Sequence, residues 1–127
     1  MATEHIAIVD DDEFVRRAMA RLVRANSFRV KTYASGQEFL DSLTIGLPSS
    51  LILDLQMGSE ISGLDLLDHL ADRGVRIPTI IATARDEPEV RRRCELAGAV
   101  AFLVKPFTVD SLLEALKACT RKRTISG

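Results

Sequence analysis

Five side chains in this 127-residue chain could act together on a phosphoryl group, and each stands at the end of a short apolar run: Asp10 and Asp11 after IAIV, Asp54 after LIL, Thr83 closing TIIAT, and Lys105 after AFLV. Carboxylates crowded into one crevice repel one another, so such a set calls for a cation. Oxygen ligands with room left for water suit Mg2+. A carboxylate oxygen could then attack phosphorus in line, with the metal and the lysine neutralising charge on the transferred oxygens and the threonine hydroxyl holding a third. Taken singly, Lys105 reads as a surface lysine and Thr83 as an ordinary strand residue. Their shared place at the ends of apolar runs is the signal.

The runs alternate with longer amphipathic stretches, the pattern of strand, helix, strand units wound into a parallel sheet. Strands are predicted at 6–9, 29–33, 51–55, 79–83 and 101–104. The second alternates and reads as an edge; the other four are apolar enough to be buried on both faces. A first helix of about three turns follows from the helical spacing of Phe14, Ala18 and Leu22 with Val15, Met19 and Val23, leaving Arg16, Arg17, Arg21 and Arg24 on its solvent side. Ser35 with Glu38, and Ser62 with Asp65, have capping-box spacing and open the second and third helices. The fourth, at 87–97, has Pro88 in its first turn and Gly98 just past its end. It offers only Val90, Cys94, Leu96 and Ala97 to a core, the stripe of a lightly packed, movable helix. Thr108 caps a fifth helix with Val109, Leu112, Leu113 and Leu116 as its buried face. The fold class is therefore α/β: one domain, residues 1–120, built on a doubly wound five-stranded parallel sheet with helices on both faces. Residues 121–127, RKRTISG, read as a basic polar tail or the start of a linker. Ligands of such sheets bind beyond the carboxyl ends of the strands, near the switch point in strand order.

Composition narrows the function. With 46% hydrophobic residues the chain can bury a core without metals or disulfides, and its formal charge of -1 provides no global field toward nucleic acid or an anionic membrane. No run is long enough for a membrane span or a signal peptide. Cys94 and Cys119 have no metal-ligand spacing and read as ordinary thiols of a reducing cytosol. Asp12, at a strand-to-helix junction, reads as a helix N-cap and is left out of the metal set. Arg91, Arg92 and Arg93 point three ways around a helix and read as a solvated face. His5 and His69 lie away from strand carboxyl ends and read as bystanders.

In order and spacing, VDDD, LILDLQM, IIATA and LVKPF resemble the receiver domains of bacterial response regulators over essentially the whole chain. The resemblance implies the flavodoxin-like receiver fold, with Asp54 as the phosphoacceptor. Asp11, Asp54 and the backbone carbonyl of Gln56 would be direct Mg2+ ligands and Asp10 a ligand through water. Thr83 corresponds to the switch hydroxyl, Ala84 to the small residue that leaves the acceptor accessible, and Lys105, followed by a usually cis Pro106, to the site lysine. Phe102 stands where receivers carry an aromatic switch, a position that partly buried packing alone would also explain. The implied function is a cytoplasmic switch of two-component signal transduction. A sensor histidine kinase or phosphotransfer protein would phosphorylate Asp54, and the added charge would repack the fourth helix, fifth strand and fifth helix. A second copy or an output domain would dock on that face, and slow self-hydrolysis would reset it. One segment departs from the family pattern. Where members run D-x-x-M-P-x-x-x-G, this chain has Gly58 in place of proline and one extra residue before Gly63, which increases the unfolded-state freedom of a loop bordering the site.

Two other classes use similar parts. A Mg2+-dependent phosphohydrolase that forms an aspartyl phosphate would pair its nucleophile with an acid two residues later, where this chain has Gln56. A phosphorylation-independent pseudo-receiver would not need the intact acidic, hydroxyl and lysine positions, and a flavodoxin-like nucleotide binder would want glycines and donors after the first strand rather than DDDE.

Overall fold

The computed structural model describes residues 4–58 and 61–126, with side chains through residue 120. Five strands, β1 (Ile6–Val9), β2 (Val30–Tyr33), β3 (Ser50–Leu53), β4 (Thr79–Thr83) and β5 (Ala99–Val104), alternate with five helices, α1 (Glu13–Ala25), α2 (Gly36–Ser42), α3 (Gly63–Asp72), α4 (Pro88–Leu96) and α5 (Val109–Ser126). All strand pairs are parallel, in the order β2-β1-β3-β4-β5. The expected doubly wound sheet is thus the one observed. The chain runs outward from β1 to β2 and then crosses back to β3, so the switch point falls between β1 and β3.

Alternation along the strands divides the core. Ile6, Ile8, Ile52, Ile80 and Ala82 face one side, where Met19, Ala20 and Val23 of α1 and Leu112, Ala115 and Leu116 of α5 cover them. Ala7, Val9, Leu51, Leu53 and Ile81 face the other, under Phe39 and Leu40 of α2, Leu66, Leu67 and Leu70 of α3, and Cys94 of α4. Burying apolar surface of this kind contributes about 25 cal/mol per Å2, so two continuous layers dominate the stability of the fold.

Several expectations are corrected. β5 is not buried on both faces: it has one neighbouring strand, and all six of its residues are only partly buried. It begins earlier than predicted, across an irregular register beside Thr79 and Ile80. Asp54 lies just beyond β3 rather than within it. Phe14 is 87% exposed because it lies, with Ala18 one turn further on, on the stripe of α1 that faces away from the sheet, and Val109 in the first turn of α5 is 47% exposed. Ala18 is also exposed, Ala20 being the small residue that α1 buries. The α4 stripe is thinner than predicted, with only Cys94 buried, Val90 partly so, and Leu96 and Ala97 exposed. α5 continues through Ser126, into the stretch read as a tail.

Candidate functional site

The switch point brings the ends of β1 and β3 side by side, and the ladder extends one step further as Asp54 donates its N–H to the Val9 carbonyl at 3.0 Å. Asp10 and Asp11 therefore stand next to Asp54. One carboxylate oxygen from each of the three lies within 4.8 Å of the others. Asp10 is fully buried and Asp54 is 6% exposed, whereas Asp11 is exposed at the rim. From the end of β5, Lys105 reaches back across β4, placing its Nζ 2.8 Å from Asp10 Oδ2 and 3.7 Å from Asp54 Oδ2. The Lys105 N–H donates to the Thr83 carbonyl at 2.7 Å, which joins the ends of β4 and β5, and the Lys105–Pro106 peptide is cis.

The buried charges have defined partners. Asp10 Oδ1 accepts the Asp12 N–H at 2.9 Å while Oδ2 takes the lysine, so this carboxylate is both neutralised and oriented. The sequence suggested only a ligand acting through water; the geometry adds an ion pair. Asp12 caps α1, its carboxylate accepting the N–H groups of Phe14 and Val15. Asp54 Oδ1 accepts the Gln56 N–H at 3.1 Å. Burial pushes the Asp54 carboxyl above its ordinary value of 3.8, a shift opposed by the Gln56 N–H and Lys105 and reinforced by the negative charges of Asp10 and Asp11. An acidic, all-oxygen donor set around a carboxyl that resists ionisation fits a hard divalent cation of the Mg2+ type.

Thr83 is buried at the end of β4, with its hydroxyl oxygen 3.4 Å from the Arg85 N–H that points to it. Ala84 beside it is exposed. Gln56 is exposed at the rim. Phe102 lies on β5, on the far side of β4 from the carboxylates, partly buried against the α2–α4 side of the core, and the Arg91 guanidinium sits 5.1 Å from its ring centroid. Arg91 is also 3.6 Å from Asp86 and 3.8 Å from Glu95. His5 and His69 lie elsewhere, His69 in the last turn of α3.

Two contacts at the site were not foreseen from the sequence. Arg16, assigned there to the solvent side of α1, is partly buried and donates from Nη1 to the Asp10 carbonyl at 2.8 Å. Its place at the end of the first turn of α1, six residues after Asp10, was the available signal, but four arginines on one helix concealed it. The second contact is that of the Gly58 N–H, which donates to Asp11 Oδ2 at 2.7 Å. A backbone donor of this kind carries no mark in the sequence beyond the absence of proline. The same loop is anchored at its far end by Gly63, whose N–H donates to the Leu55 carbonyl at 3.2 Å.

This constellation on this sheet defines a class, and comparison with known proteins gives the family. Residues 6–117 match the response regulator receiver domain family, and the chain belongs to it. The response regulator protein TmoT of Ectopseudomonas mendocina is 37% identical over 116 residues, covering 91% of this chain and 52% of that protein. Response regulator MprA of Mycolicibacterium vanbaalenii is 34% identical over 119 residues, covering 94% and 51%. The chain therefore spans about half the length of these curated relatives. Among solved structures, the response regulator receiver protein of Burkholderia phymatum shares 38% identity at a TM-score of 0.79, covering 92% of this chain and 94% of that one. The structure described as FixJ-N shares 33% at 0.85, covering 95% and 96%. No helix among the described residues is long and apolar enough to cross a membrane.

Proposed function

We propose that this chain is a phosphoryl-accepting signalling switch with Asp54 as the acceptor and a histidine kinase or phosphotransfer protein as the donor. The observation that carries this reading is the position of Asp54: nearly buried, with two further carboxylates beside it and the Lys105 ammonium 3.7 Å away. Asp11, Asp54 and the Gln56 carbonyl would hold Mg2+ directly and Asp10 through water. When bound, the ion supplies positive charge to the transferred oxygens and favours the ionised form of Asp54.

An Asp54 carboxylate oxygen attacks phosphorus as the bond from phosphorus to the donor nitrogen breaks, the nitrogen keeping the electron pair and taking up a proton. Lys105, between Asp10 and Asp54, needs only a small shift to meet a phosphoryl oxygen. The Thr83 hydroxyl turns from its long contact with Arg85 to donate to another. That movement draws on β4, and through Phe102 and Arg91 it reaches the face formed by α4, β5 and α5, where an output domain or a second copy would dock. Residues 1–120 form the switch, and the end of α5 carries the basic stretch away from it. Gln56 offers no acid for rapid release of phosphate, in keeping with slow self-hydrolysis rather than turnover of other substrates.

Incubation with acetyl phosphate or a phosphoramidate and Mg2+ is expected to add about 80 Da, one PO3H unit, by intact mass spectrometry, and Asp54→Asn abolishes the adduct. Absence of the adduct from the parent protein, its persistence in the variant, or repeated turnover of a phosphomonoester would each overturn the reading.

A further inference from the structure

We propose that the backbone N–H of Gly58 is a positioning group for the metal site: it holds the Asp11 carboxylate in a ligating orientation and so ties the loop after Asp54 to metal occupancy. The inference rests on Asp11 being a metal ligand, as read above. The three carboxylates are held in different ways. Asp10 is fixed by the Asp12 N–H and Lys105, and Asp54 by the Gln56 N–H with Lys105 nearby, so each has a backbone donor two residues on and the lysine from the end of β5. Asp11 is exposed, and a short exposed carboxylate otherwise turns freely. Its Oδ2 takes the Gly58 N–H at 2.7 Å, a charge-assisted bond from a residue 47 positions away in the chain. One oxygen is engaged and the other is left for a cation.

Hydrogen bonds to ligating carboxylates orient them, and losing such a partner commonly weakens metal binding tenfold or more. The loop can serve as that partner because both its ends are held. Met57 is buried in the core beneath one end, and at the other Gly63 lies so close to the Asp54 and Leu55 backbone that a Cβ there would stand 2.6 Å from the Asp54 carbonyl oxygen. A residue with no N–H at position 58 removes the bond. A Cβ at position 58 would meet Asp11 Oδ2 at 3.5 Å, ordinary contact, so alanine keeps it.

The test is Mg2+ binding to the unphosphorylated protein by isothermal titration calorimetry, together with amide hydrogen exchange at Gly58 by NMR. Gly58→Pro is expected to weaken Mg2+ binding about threefold to tenfold, less than the loss of a side-chain partner, while Gly58→Ala stays within about twofold of the parent. In the parent, Mg2+ raises the protection of the Gly58 amide. If Gly58→Pro binds Mg2+ as tightly as the parent or more so, or if Mg2+ lowers Gly58 protection, the bond competes with the cation and the proposal fails. Should Gly58→Pro not fold, Gly58 exchange in the parent decides alone. If the parent takes up no Mg2+, the metal reading fails together with this one; if it binds Mg2+ and is phosphorylated but the variants match, only this inference falls.

Discussion

Asp54 sits in surroundings that oppose its own ionisation, and the residues around it offset that in part. Asp10 and Asp11 add negative charge, Lys105 and the Gln56 N–H counter it, and the opening to solvent lies on the side of Asp11. On the function proposed above, that opening is the side from which a cation and a phosphoryl donor would reach the carboxylate. The close approach of Gly63 sets how much room this arrangement has. Its missing side chain lets the start of α3 rest 2.6 Å, measured to where a Cβ would be, from both the Asp54 carbonyl oxygen and the Leu55 Cα. Backbone atoms cannot step aside as a flexible side chain would. Gly63→Ala is therefore expected to cost about 2–3 kcal/mol in urea denaturation and to slow phosphorylation of Asp54 by displacing it. A variant as stable as the parent would show that the approach is looser than described.

At the scale of elements, the helix starts are secured by different means. Ser62 and Asp65 form a complete capping box at α3: the Ser62 hydroxyl oxygen accepts the Asp65 N–H and the Asp65 carboxylate accepts the Ser62 N–H, both at 3.1 Å. At α2 the reciprocal bond slips by one residue, Glu38 accepting from the Ala34 N–H. At α4, Glu87 makes no side-chain cap bond. The hydrogen bonds from Ser62 hold the Asp65 carboxyl below its ordinary value of 3.8. A carboxylate with a depressed folded-state pKa stabilises the fold above that ordinary value and loses the contribution as pH falls through the depressed one. Asp65→Asn should accordingly lower Tm near neutral pH, and the gap from the parent should close as pH drops below 3.8. A gap that persists unchanged in acid would place the effect elsewhere.

α4 buries a single residue, Cys94, and covers an edge strand that is itself only partly buried. In the molecule as a whole, α4 belongs to the same helical layer as α2 and α3, with Phe102 of β5 packed against that layer and Arg91 of α4 over its ring. Low burial permits local opening at small cost. In hydrogen exchange followed by mass spectrometry, α4 amides are expected to exchange faster than those of α3, which buries Leu66, Leu67 and Leu70. Phosphorylation should change protection in α4 and β5 while leaving β1 and β3 unaltered. Equal protection of α3 and α4, or a response confined to the loops, would argue against this route from site to surface.

The strand and helix types, their order and the acidic, hydroxyl and lysine positions were readable in the chain, because hydrophobic period and turn chemistry are local properties and strand ends follow from them. Those properties do not determine what lies across a sheet. The edge status of β5 comes from strand order, and the exposure of Phe14 from which face of α1 is turned to the sheet. The ion pair of Asp10 with Lys105 joins residues 95 positions apart, and Arg16 reaches the Asp10 carbonyl only because α1 turns that side of the helix toward it. Gly58 shows the difference most clearly. From sequence, glycine at that position means a freer loop; in the folded chain its N–H meets Asp11, because packing β1 against β3 brings the two loops together.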